Sequence, residues 1–244
     1  MYKVMKDKSK AGSLINIAID LRYAELPFTG LTRFAKNIIL YLIKIDTNER
    51  HRYYLILPPS SSSNHLKEFY RLNSKKVSIK NWHSNRGLNW TIPFLLIDCK
   101  LYNYLIRNNV TMFITPFIDP PLLPGIQVAS TIHDLTFIKI NKYKKGFNWI
   151  RRFIANLRII VTIITSNFIL TVSKSTKEEI IGRYSKLLPF LKKKLKNIVI
   201  IPNGVSIPTI SNSTEIEERI KHIPNNFYLY VGDRRPHKNL EYLI

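Results

Sequence analysis

The alternation of short apolar runs with longer segments of helical periodicity is the sequence feature that most constrains the fold of this chain. The first apolar run covers residues 14–19 and precedes a helical pattern over residues 34–45. Sequences with this alternation form parallel sheets, because a helical crossover joins each strand to the next. We therefore expect an α/β fold with a Rossmann-like parallel sheet. Further predicted strands span residues 53–57, 77–80, 110–114, 128–132, 168–172 and 198–201, and further predicted helices span residues 66–72, 92–106 and 147–164, with another opened by Ser175.

The chain carries a large excess of basic residues. Of its 244 residues, 38 are Lys or Arg and 16 are Asp or Glu, so the formal net charge is +22. Such a charge implies an anionic partner, which can be nucleic acid, an acidic membrane surface or a phosphorylated substrate. The length suits one large domain or one domain with part of another, and the 45% hydrophobic content excludes wholesale disorder.

Cysteine content and hydropathy indicate a cytoplasmic protein. Cys99 is the only cysteine, which excludes an intrachain disulfide and a multi-cysteine zinc site. The lysine-rich N-terminus precedes an apolar run, residues 14–19, that is shorter than the ~7–15 residues of a secretory signal. Polar side chains interrupt the best membrane-span candidate, residues 159–172, which is also shorter than the ~20 residues needed to cross a bilayer. We expect at most a peripheral association with the inner face of the membrane.

Two strand-to-helix loops carry candidate functional residues, because ligands of parallel sheets bind beyond the carboxyl ends of the strands. Gly30 lets backbone N–H groups approach a phosphate at a helix N-terminus, although an ordinary loop glycine is the favoured interpretation of this segment taken alone. The other glycines of a dinucleotide fingerprint are missing, so NAD binding is not supported. His133, beside Asp134, can exchange protons or bind a sugar hydroxyl. The alternative is a structural histidine, with Asp134 capping a turn.

Two later segments add weaker candidates. Ser173 follows a predicted strand and opens a helix, where capping is the favoured role and phosphate binding the second. Arg234, Arg235 and Lys238 precede the last predicted helix, and their charges suit a pyrophosphate, although a solvated basic loop remains open.

The chain changes character after Gly204. Residues 206–226 are rich in polar residues and proline, so we interpret them as a linker that contains one short helix. A new strand is predicted at residues 227–231 and a helix begins near Asn239. The sequence therefore suggests one α/β domain followed by the first strand and a partial helix of a second.

Taken in order, six segments resemble glycosyltransferase family 4, the group 1 glycosyltransferases of the GT-B fold. The resemblance covers nearly the whole chain, and its strength lies in the order of the segments. They are Ile17-Ala-Ile-Asp20, Thr29-Gly30 with Arg33-Phe34 and Asn37, Thr131-Ile-His-Asp-Leu135, Leu170-Thr-Val-Ser173 with Ser175, Ile200-Ile-Pro-Asn-Gly-Val205, and Leu229-Tyr-Val-Gly232 with Pro236-His-Lys-Asn-Leu240.

The resemblance implies a role for individual residues. Gly30 matches the loop glycine near the donor phosphates, and His133 matches the histidine beside the transferred sugar, with Asp134 its neighbour. Lys238 matches the lysine that neutralises the pyrophosphate, helped by Arg234 or Arg235. Arg33 and Ser173 are further candidates for substrate binding. Enzymes of this kind are typically retaining and need neither a catalytic metal nor a cofactor besides the nucleotide-sugar co-substrate.

The resemblance also implies a domain division. Residues 1–205 match the acceptor-side N-terminal domain of a GT-B enzyme, residues 206–226 a linker, and residues 227–244 the truncated start of the donor-binding, Rossmann-like C-terminal domain. The family holds its donor with two glutamates eight positions apart, and no such pair occurs in this sequence. We therefore expect little or no transferase activity from these residues alone.

The sequence departs from the family at three positions. Thr32 stands where many members have a second small residue, Ser206 where an aspartate is common, and His237 where arginine is frequent. These differences concern the fine geometry of the phosphate loop.

Two function hypotheses follow. The first is a glycosyltransferase that uses a nucleotide-diphosphate sugar and a glycan or lipid-linked acceptor, as in polysaccharide or lipopolysaccharide synthesis, and that contacts an anionic membrane surface. The second is a non-catalytic basic α/β module that binds nucleic acid or an anionic surface, including through residues 192–196. No nucleic-acid-binding motif appears, so we do not expect nucleic acid as a partner.

Overall fold

A computed structural model describes most of the chain. The described residues are 15–22, 30–48, 50–59, 67–72, 76–82, 98–118, 120–139, 148–204, 224, 226–232 and 240–242.

Seven strands form one sheet in which every pairing is parallel, as the alternating pattern predicts. Their order across the sheet is β3-β2-β1-β4-β5-β6-β7, so β1 lies in the interior and the chain winds outward from it in both directions. This is the doubly wound, Rossmann-like α/β fold. The strands are β1 (Ile15–Asp20), β2 (His51–Leu57), β3 (Val77–Asn81), β4 (Val110–Thr115), β5 (Gln127–Ile132), β6 (Phe168–Thr171) and β7 (Ile198–Ile200).

Helices occupy the segments between the strands, although β4 and β5 are joined by a proline-rich loop, as predicted. The helices are α1 (Gly30–Ile45), α2 (Lys67–Tyr70), α3 (Cys99–Arg107), α4 (Thr136–Lys139), α5 (Asn148–Thr165), α6 (Lys174–Leu187) and α7 (Lys192–Leu195), with 3₁₀ turns at Pro189–Leu191 and Leu240–Tyr242.

Alternate side chains of the central strands are buried on opposite faces of the sheet. Ile17 and Ile19 of β1 belong to the core that α1 and α2 cover, whereas Ala18 belongs to the core beneath α3. Because successive side chains of a strand point to opposite faces, both faces must be apolar when helices cover both. This explains why the strands read as continuous apolar runs.

A third core lies where α5, α6 and α7 pack against β5, β6 and β7. Ile159 and Ile163 of α5 meet Ile180 and Tyr184 of α6, and all four side chains are fully buried. Burying large aliphatic and aromatic side chains is the main favourable contribution to folding. This core therefore stabilises the half of the sheet that consists of β5, β6 and β7.

Three details of the helices differ from the sequence-based expectations. In the helical pattern predicted over residues 34–45, Phe34 is buried and Leu42 packs against the core, but Ile45 is 69% exposed, and Ala35 and Ile39 are fully buried. The N-cap of α6 is Ser173 rather than Ser175. Of the predicted helix 92–106, the described part begins at Cys99 and is capped by Asp98, and the earlier residues lie outside the described ones.

The predicted strand at residues 227–231 is not formed. This segment has irregular backbone, and its side chains are exposed, with Tyr228 at 95% and Val231 at 84%. A strand needs a neighbour for its backbone groups, and none of the described strands pairs with this segment. The division into residues 1–205, 206–226 and 227–244 remains a prediction, and most of the linker lies outside the described residues.

None of the helices in the described part of the chain is both long and apolar enough to cross a membrane. The apolar stretch at residues 159–172 divides between the end of α5 and strand β6, with a break at Ser166 and Asn167.

Lys194 closes the carboxyl end of α5. Its Nζ donates to the carbonyl oxygens of Ile164 and of Ser166, the latter at 3.1 Å. The last carbonyl groups of a helix have no partner within the helix, and a cation there also interacts favourably with the helix dipole. Burial lowers the pKa of Lys194. Lys194 therefore has a structural role in an otherwise exposed lysine run.

Replacing Lys194 by methionine is expected to destabilise the fold. Lys194→Met keeps the aliphatic stem but removes the donors to α5, so the free energy of unfolding should fall by about 1–2 kcal/mol. Urea unfolding followed by circular dichroism measures this change. Lys193→Met is the matched control, because Lys193 is exposed, and it should cost less than about 0.5 kcal/mol. Equal effects of the two substitutions would contradict the role of Lys194.

Candidate functional site

The carboxyl edge of the sheet contains the point at which the winding direction reverses. β1 and β4 are neighbours, yet the chain leaves β1 toward β2 and leaves β4 toward β5. Open parallel sheets bind ligands in a crevice beyond the carboxyl ends of the strands at such a point of reversal. The candidate site is built around this crevice and the adjacent end of β5.

His133 directly follows β5 and faces the loop that leaves β4. Its Nε2 lies 2.9 Å from the carbonyl oxygen of Pro116, and its ring meets the ring of Phe34 edge-on, with 4.7 Å between centroids. A carbonyl oxygen can only accept, so Nε2 carries the proton and the neutral ring has its lone pair on Nδ1. The ring is thus held by both β4 and α1.

The surroundings of His133 favour its neutral form. Burial lowers the pKa of His133, while the hydrogen bond to Pro116 and the charge of Asp134 act in the opposite direction without overcoming it. A neutral imidazole with one fixed N–H can accept a proton or a hydrogen bond at Nδ1.

The first turn of α6 is hydrogen-bonded to the same histidine. The Thr176 hydroxyl donates to the backbone oxygen of His133 at 3.1 Å. Ser173 caps the helix, since its Oγ accepts the backbone N–H of Thr176 at 3.1 Å, and the two hydroxyl oxygens lie 2.9 Å apart. The capping role predicted for Ser173 is observed, and it brings the N-terminus of α6 beside His133.

The N-terminus of α1 reaches the site through Phe34. Gly30 is the first residue of α1 and precedes Phe34 by four positions, so both lie on one face of the helix. Gly30 is exposed, its backbone is outside the left-handed region, and an added Cβ would meet no atom within 4 Å. The fold itself therefore does not require glycine here. Arg33 is exposed on the same helix.

Asp134 takes the turn-capping position. Its Oδ1 accepts the backbone N–H of Thr136 at 2.9 Å, which starts the short helix α4, and the residue is exposed. Asp134 therefore caps a turn, which was the alternative to a functional role in the sequence analysis. A catalytic role for Asp134 remains a prediction.

The remaining predicted residues are not brought to the site by the described structure. Arg234, Arg235 and Lys238 lie outside the described residues, so the proposed pyrophosphate clamp remains a prediction. Within the part of the chain that is described, no three His, Cys, Asp or Glu side chains are grouped to hold a metal ion.

Sequence reasoning missed a buried charge cluster at the end of β1. Arg22 pairs with Asp20 through two bonds, Nε to Oδ1 at 2.8 Å and Nη2 to Oδ2 at 2.9 Å, and both residues are almost fully buried. Its Nη1 also lies 3.4 Å from Oδ2 of Asp98. Burial disfavours the charged guanidinium, but the two carboxylates outweigh this effect and raise the pKa of Arg22.

Asp98 connects this cluster to two other elements. Its Oδ1 accepts the backbone N–H of Leu101 at 3.0 Å and so caps α3, and its Oδ2 accepts the indole N–H of Trp82, after β3, at 3.0 Å. One carboxylate therefore joins the ends of β1 and β3 to the start of α3. An acidic residue at a strand end followed two residues later by arginine, as in Asp20-Leu-Arg22, is the only sequence signal of this cluster.

The geometry suits binding of an anion and a hydroxyl group in one crevice. The helix N-termini of α1 and α6 carry partial positive charge, which favours a phosphate nearby. His133, held between them, supplies a hydrogen-bond acceptor at Nδ1. The Asp20–Arg22 pair lies at the end of β1 and connects it to Asp98 at the start of α3.

Comparison with known proteins finds only distant structural similarity. No protein family model matches the chain, and no curated protein matches it. Among solved structures, UDP-GlcNAc 2-epimerase from Methanocaldococcus jannaschii matches with a TM-score of 0.43 and 14% identity, over 78% of this chain and 45% of that one. The dTDP-glucose 4,6-dehydratase from Bacillus anthracis matches with a TM-score of 0.37 and 10% identity, over 64% of this chain and 54% of that one. The chain spans about half the length of these two proteins, and the fold assignment rests on its own sheet order.

The depressed pKa of His133 predicts how stability depends on pH. The folded state binds this proton less readily than the unfolded state, so acidification below the unfolded value of about 6.5 favours unfolding. The loss continues until the pH falls below the folded pKa. Replacing the ring by an amide that cannot titrate should make the decrease in melting temperature between about pH 7.5 and 5 smaller. Thermal unfolding of the parent and of His133→Gln measures the difference.

Two further measurements test whether His133 is a buried neutral histidine. Histidine NMR titration should place the pKa of His133 below its ordinary value of about 6.5, and His51→Gln is the control substitution for the unfolding measurements. Identical pH dependence of the parent and His133→Gln proteins would contradict the buried neutral histidine.

Breaking the Asp20–Arg22 pair is expected to be costly. Arg22→Met leaves the Asp20 carboxylate buried without its main counter-charge, which should lower the free energy of unfolding by about 3–5 kcal/mol. Urea unfolding measures this loss, and Asp20→Asn combined with Arg22→Met should recover part of it. Glu178→Gln, which removes the exposed 3.7 Å pair with Lys174, is the control and should cost less than about 1 kcal/mol. If Arg22→Met cost no more than Glu178→Gln, the cluster would have no structural role.

Proposed function

We propose that this chain contains the acceptor-side domain of a nucleotide-diphosphate-sugar-dependent glycosyltransferase of the retaining kind, acting on a lipid-linked or polysaccharide acceptor. The observation that supports this proposal best is the position of His133. It follows β5, is hydrogen-bonded to the loop after β4, and contacts both α1 and the first turn of α6. The resemblance of the sequence to group 1 glycosyltransferases supplies the reaction class.

In this proposal the donor phosphates lie at the N-terminus of α1. Gly30 begins that helix, and the open space around it allows a phosphate oxygen to approach the backbone N–H groups. Ser173 and the start of α6 provide a second set of donors on the other side of His133. Arg33, which is exposed on α1, is a further candidate contact for the phosphates or the acceptor.

His133 would contact the transferred sugar. With Nε2–H donated to Pro116, its Nδ1 accepts a hydrogen bond from a sugar hydroxyl, and Phe34 fixes the ring orientation. Preorganised groups of this kind stabilise the charge that develops in a transition state without reorganising during the reaction. Asp134, next in sequence, is proposed as its charged neighbour.

The leaving nucleotide diphosphate needs positive charge. We propose Lys238, with Arg234 or Arg235, for this role, on the first segment of a donor-side domain that begins at residue 227. Lysine and arginine stabilise a developing phosphate charge electrostatically, so this mechanism uses neither a metal ion nor a cofactor. Residues 1–205 would then form the acceptor-side domain, at the cytoplasmic face of the membrane.

A substitution at Gly30 tests the proposal without disturbing the fold. Gly30→Ala meets no clash in the unliganded structure and should leave the melting temperature unchanged or slightly higher, because alanine favours the helix. Its Cβ would stand where a phosphate approaches, so binding of a nucleotide sugar should weaken by about tenfold or more. Titration of ¹⁵N-labelled protein with UDP-glucose, GDP-mannose and dTDP-glucose, followed by NMR, measures this change.

Gly182→Ala is the matched control. Gly182 is an exposed glycine of α6 with open space around its Cα, and its replacement should not affect nucleotide-sugar binding. Absence of binding by all three donors at millimolar concentration, or equal effects of the two glycine substitutions, would contradict the proposal. In that case salt-dependent binding of an oligonucleotide would favour the non-catalytic basic module.

A further inference from the structure

The end of α6 and the two short helical turns after it form a basic and apolar surface, residues 186–196, that the proposed chemistry does not use. Leu187 is 59% exposed and Phe190 is 68% exposed. Pro189 opens the 3₁₀ turn that contains Phe190. We call this surface the basic knob.

Buried side chains anchor the basic knob to the core of the domain. Leu191 and Leu195 alternate with its exposed residues and are buried in the same core as Tyr184 of α6. Lys194 points inward and donates to the end of α5. Because these anchors fix the turn, the exposure of Leu187 and Phe190 is a property of the folded domain.

The charge of the basic knob has one sign. Lys186, Lys192, Lys193 and Lys196 are all exposed. Residues 180–214 contain six Lys or Arg and no Asp or Glu, so no acidic neighbour in sequence offsets them. Four exposed cations surround two large apolar side chains. This arrangement is complementary to a surface that has anionic groups on the outside and an apolar layer below them.

We propose that the basic knob docks on an anionic lipid bilayer, with Phe190 and Leu187 entering the interface and the lysines contacting acidic headgroups. Each lysine near an anionic membrane contributes favourably, and apolar side chains add the free energy of leaving water. Lysine and aromatic residues beside aliphatic ones are the composition of interfacial segments. This inference needs no nucleotide sugar, so it stands or fails separately from the proposed function.

The structure favours a lipid surface over nucleic acid. An exposed leucine gains nothing from a phosphate backbone, whereas it gains from the acyl boundary of a membrane. The nearby arginine, Arg183, donates to Oδ1 of Asn156 at 3.1 Å, so the exposed cations of the knob are all lysines. Arginine, whose guanidinium is a planar fork of donors, provides the bidentate contacts to phosphates, whereas lysine acts as a point charge.

Docking through the basic knob leaves the candidate site accessible. α6 begins beside His133 and ends at Leu187, one residue before the turn that carries Phe190. Its 14 residues span about 21 Å at 1.5 Å per residue. The knob therefore lies at the opposite edge of the sheet from the site.

Vesicle co-sedimentation of the full chain tests the inference. Vesicles of phosphatidylcholine with one quarter phosphatidylglycerol should bind the protein, and vesicles of phosphatidylcholine alone should not. Lys192→Glu/Lys193→Glu and Leu187→Ser/Phe190→Ser should each weaken binding by about tenfold or more. All four residues are exposed, and circular dichroism should show unchanged folding.

Matched substitutions elsewhere separate the knob from the overall charge of the protein. Lys44→Glu/Lys100→Glu makes the same charge change, and Tyr41→Ser/Ile45→Ser removes two exposed apolar side chains of α1. These controls should weaken binding by less than about twofold, since salt screens charges beyond a Debye length.

Three outcomes would overturn the inference. In the first, the knob variants bind acidic vesicles as tightly as the control variants do. In the second, the protein binds neutral vesicles as well as acidic ones. In the third, no form of the protein binds vesicles and the knob variants lose affinity for a short fluorescent oligonucleotide, which would make the knob a nucleic-acid contact.

Discussion

The burial of both faces of an all-parallel sheet is the constraint on which the rest of this structure depends. Parallel strands need crossover helices, and those helices cover both faces of the sheet. Successive side chains of one strand point to opposite faces, so both must be apolar. Ile17, Ala18 and Ile19 of β1 meet that demand, as do Tyr53, Tyr54 and Leu55 of β2. Each strand between β3 and β7 in the sheet pairs its backbone groups with two neighbours, and β1 and β4 are adjacent although residues 21–109 lie between them in the chain.

The same arrangement concentrates polar chemistry at one edge. All seven strands end on the same side, so residues far apart in sequence meet there: Asp20 and Arg22 with Asp98, and Phe34 with His133 and Thr176. The helices α1 and α6 begin at that edge, and the partial positive charge of a helix N-terminus favours anions. The proposed donor site and the buried ion pair thus result from the winding of the sheet, whereas the basic knob lies at the opposite end of α6.

Sequence reasoning worked best for the strands and less well for helix faces and caps. Seven of the eight predicted strands agree with the observed strands to within two residues at each end, and the exception is residues 227–231. In α1, apolar residues surround most of the helix, so periodicity alone did not identify Ala35 and Ile39 as the buried side. The choice between Ser173 and Ser175 as the cap of α6 depended on the residue at which β6 ends.

By itself, the sequence determined the α/β class, the strand positions and the candidates Gly30, His133 and Ser173, because hydrophobic periodicity and capping are local properties. The tertiary structure alone decided that Phe34, Pro116 and Thr176 all contact His133, and that Arg22 is buried against Asp20 and Asp98. It also decided that residues 227–231 are irregular, since a strand forms only where a partner edge accepts it. Within one lysine run, it turned Lys194 inward and left Lys192 and Lys193 exposed, a division that depends on which carbonyl groups at the end of α5 lack a donor.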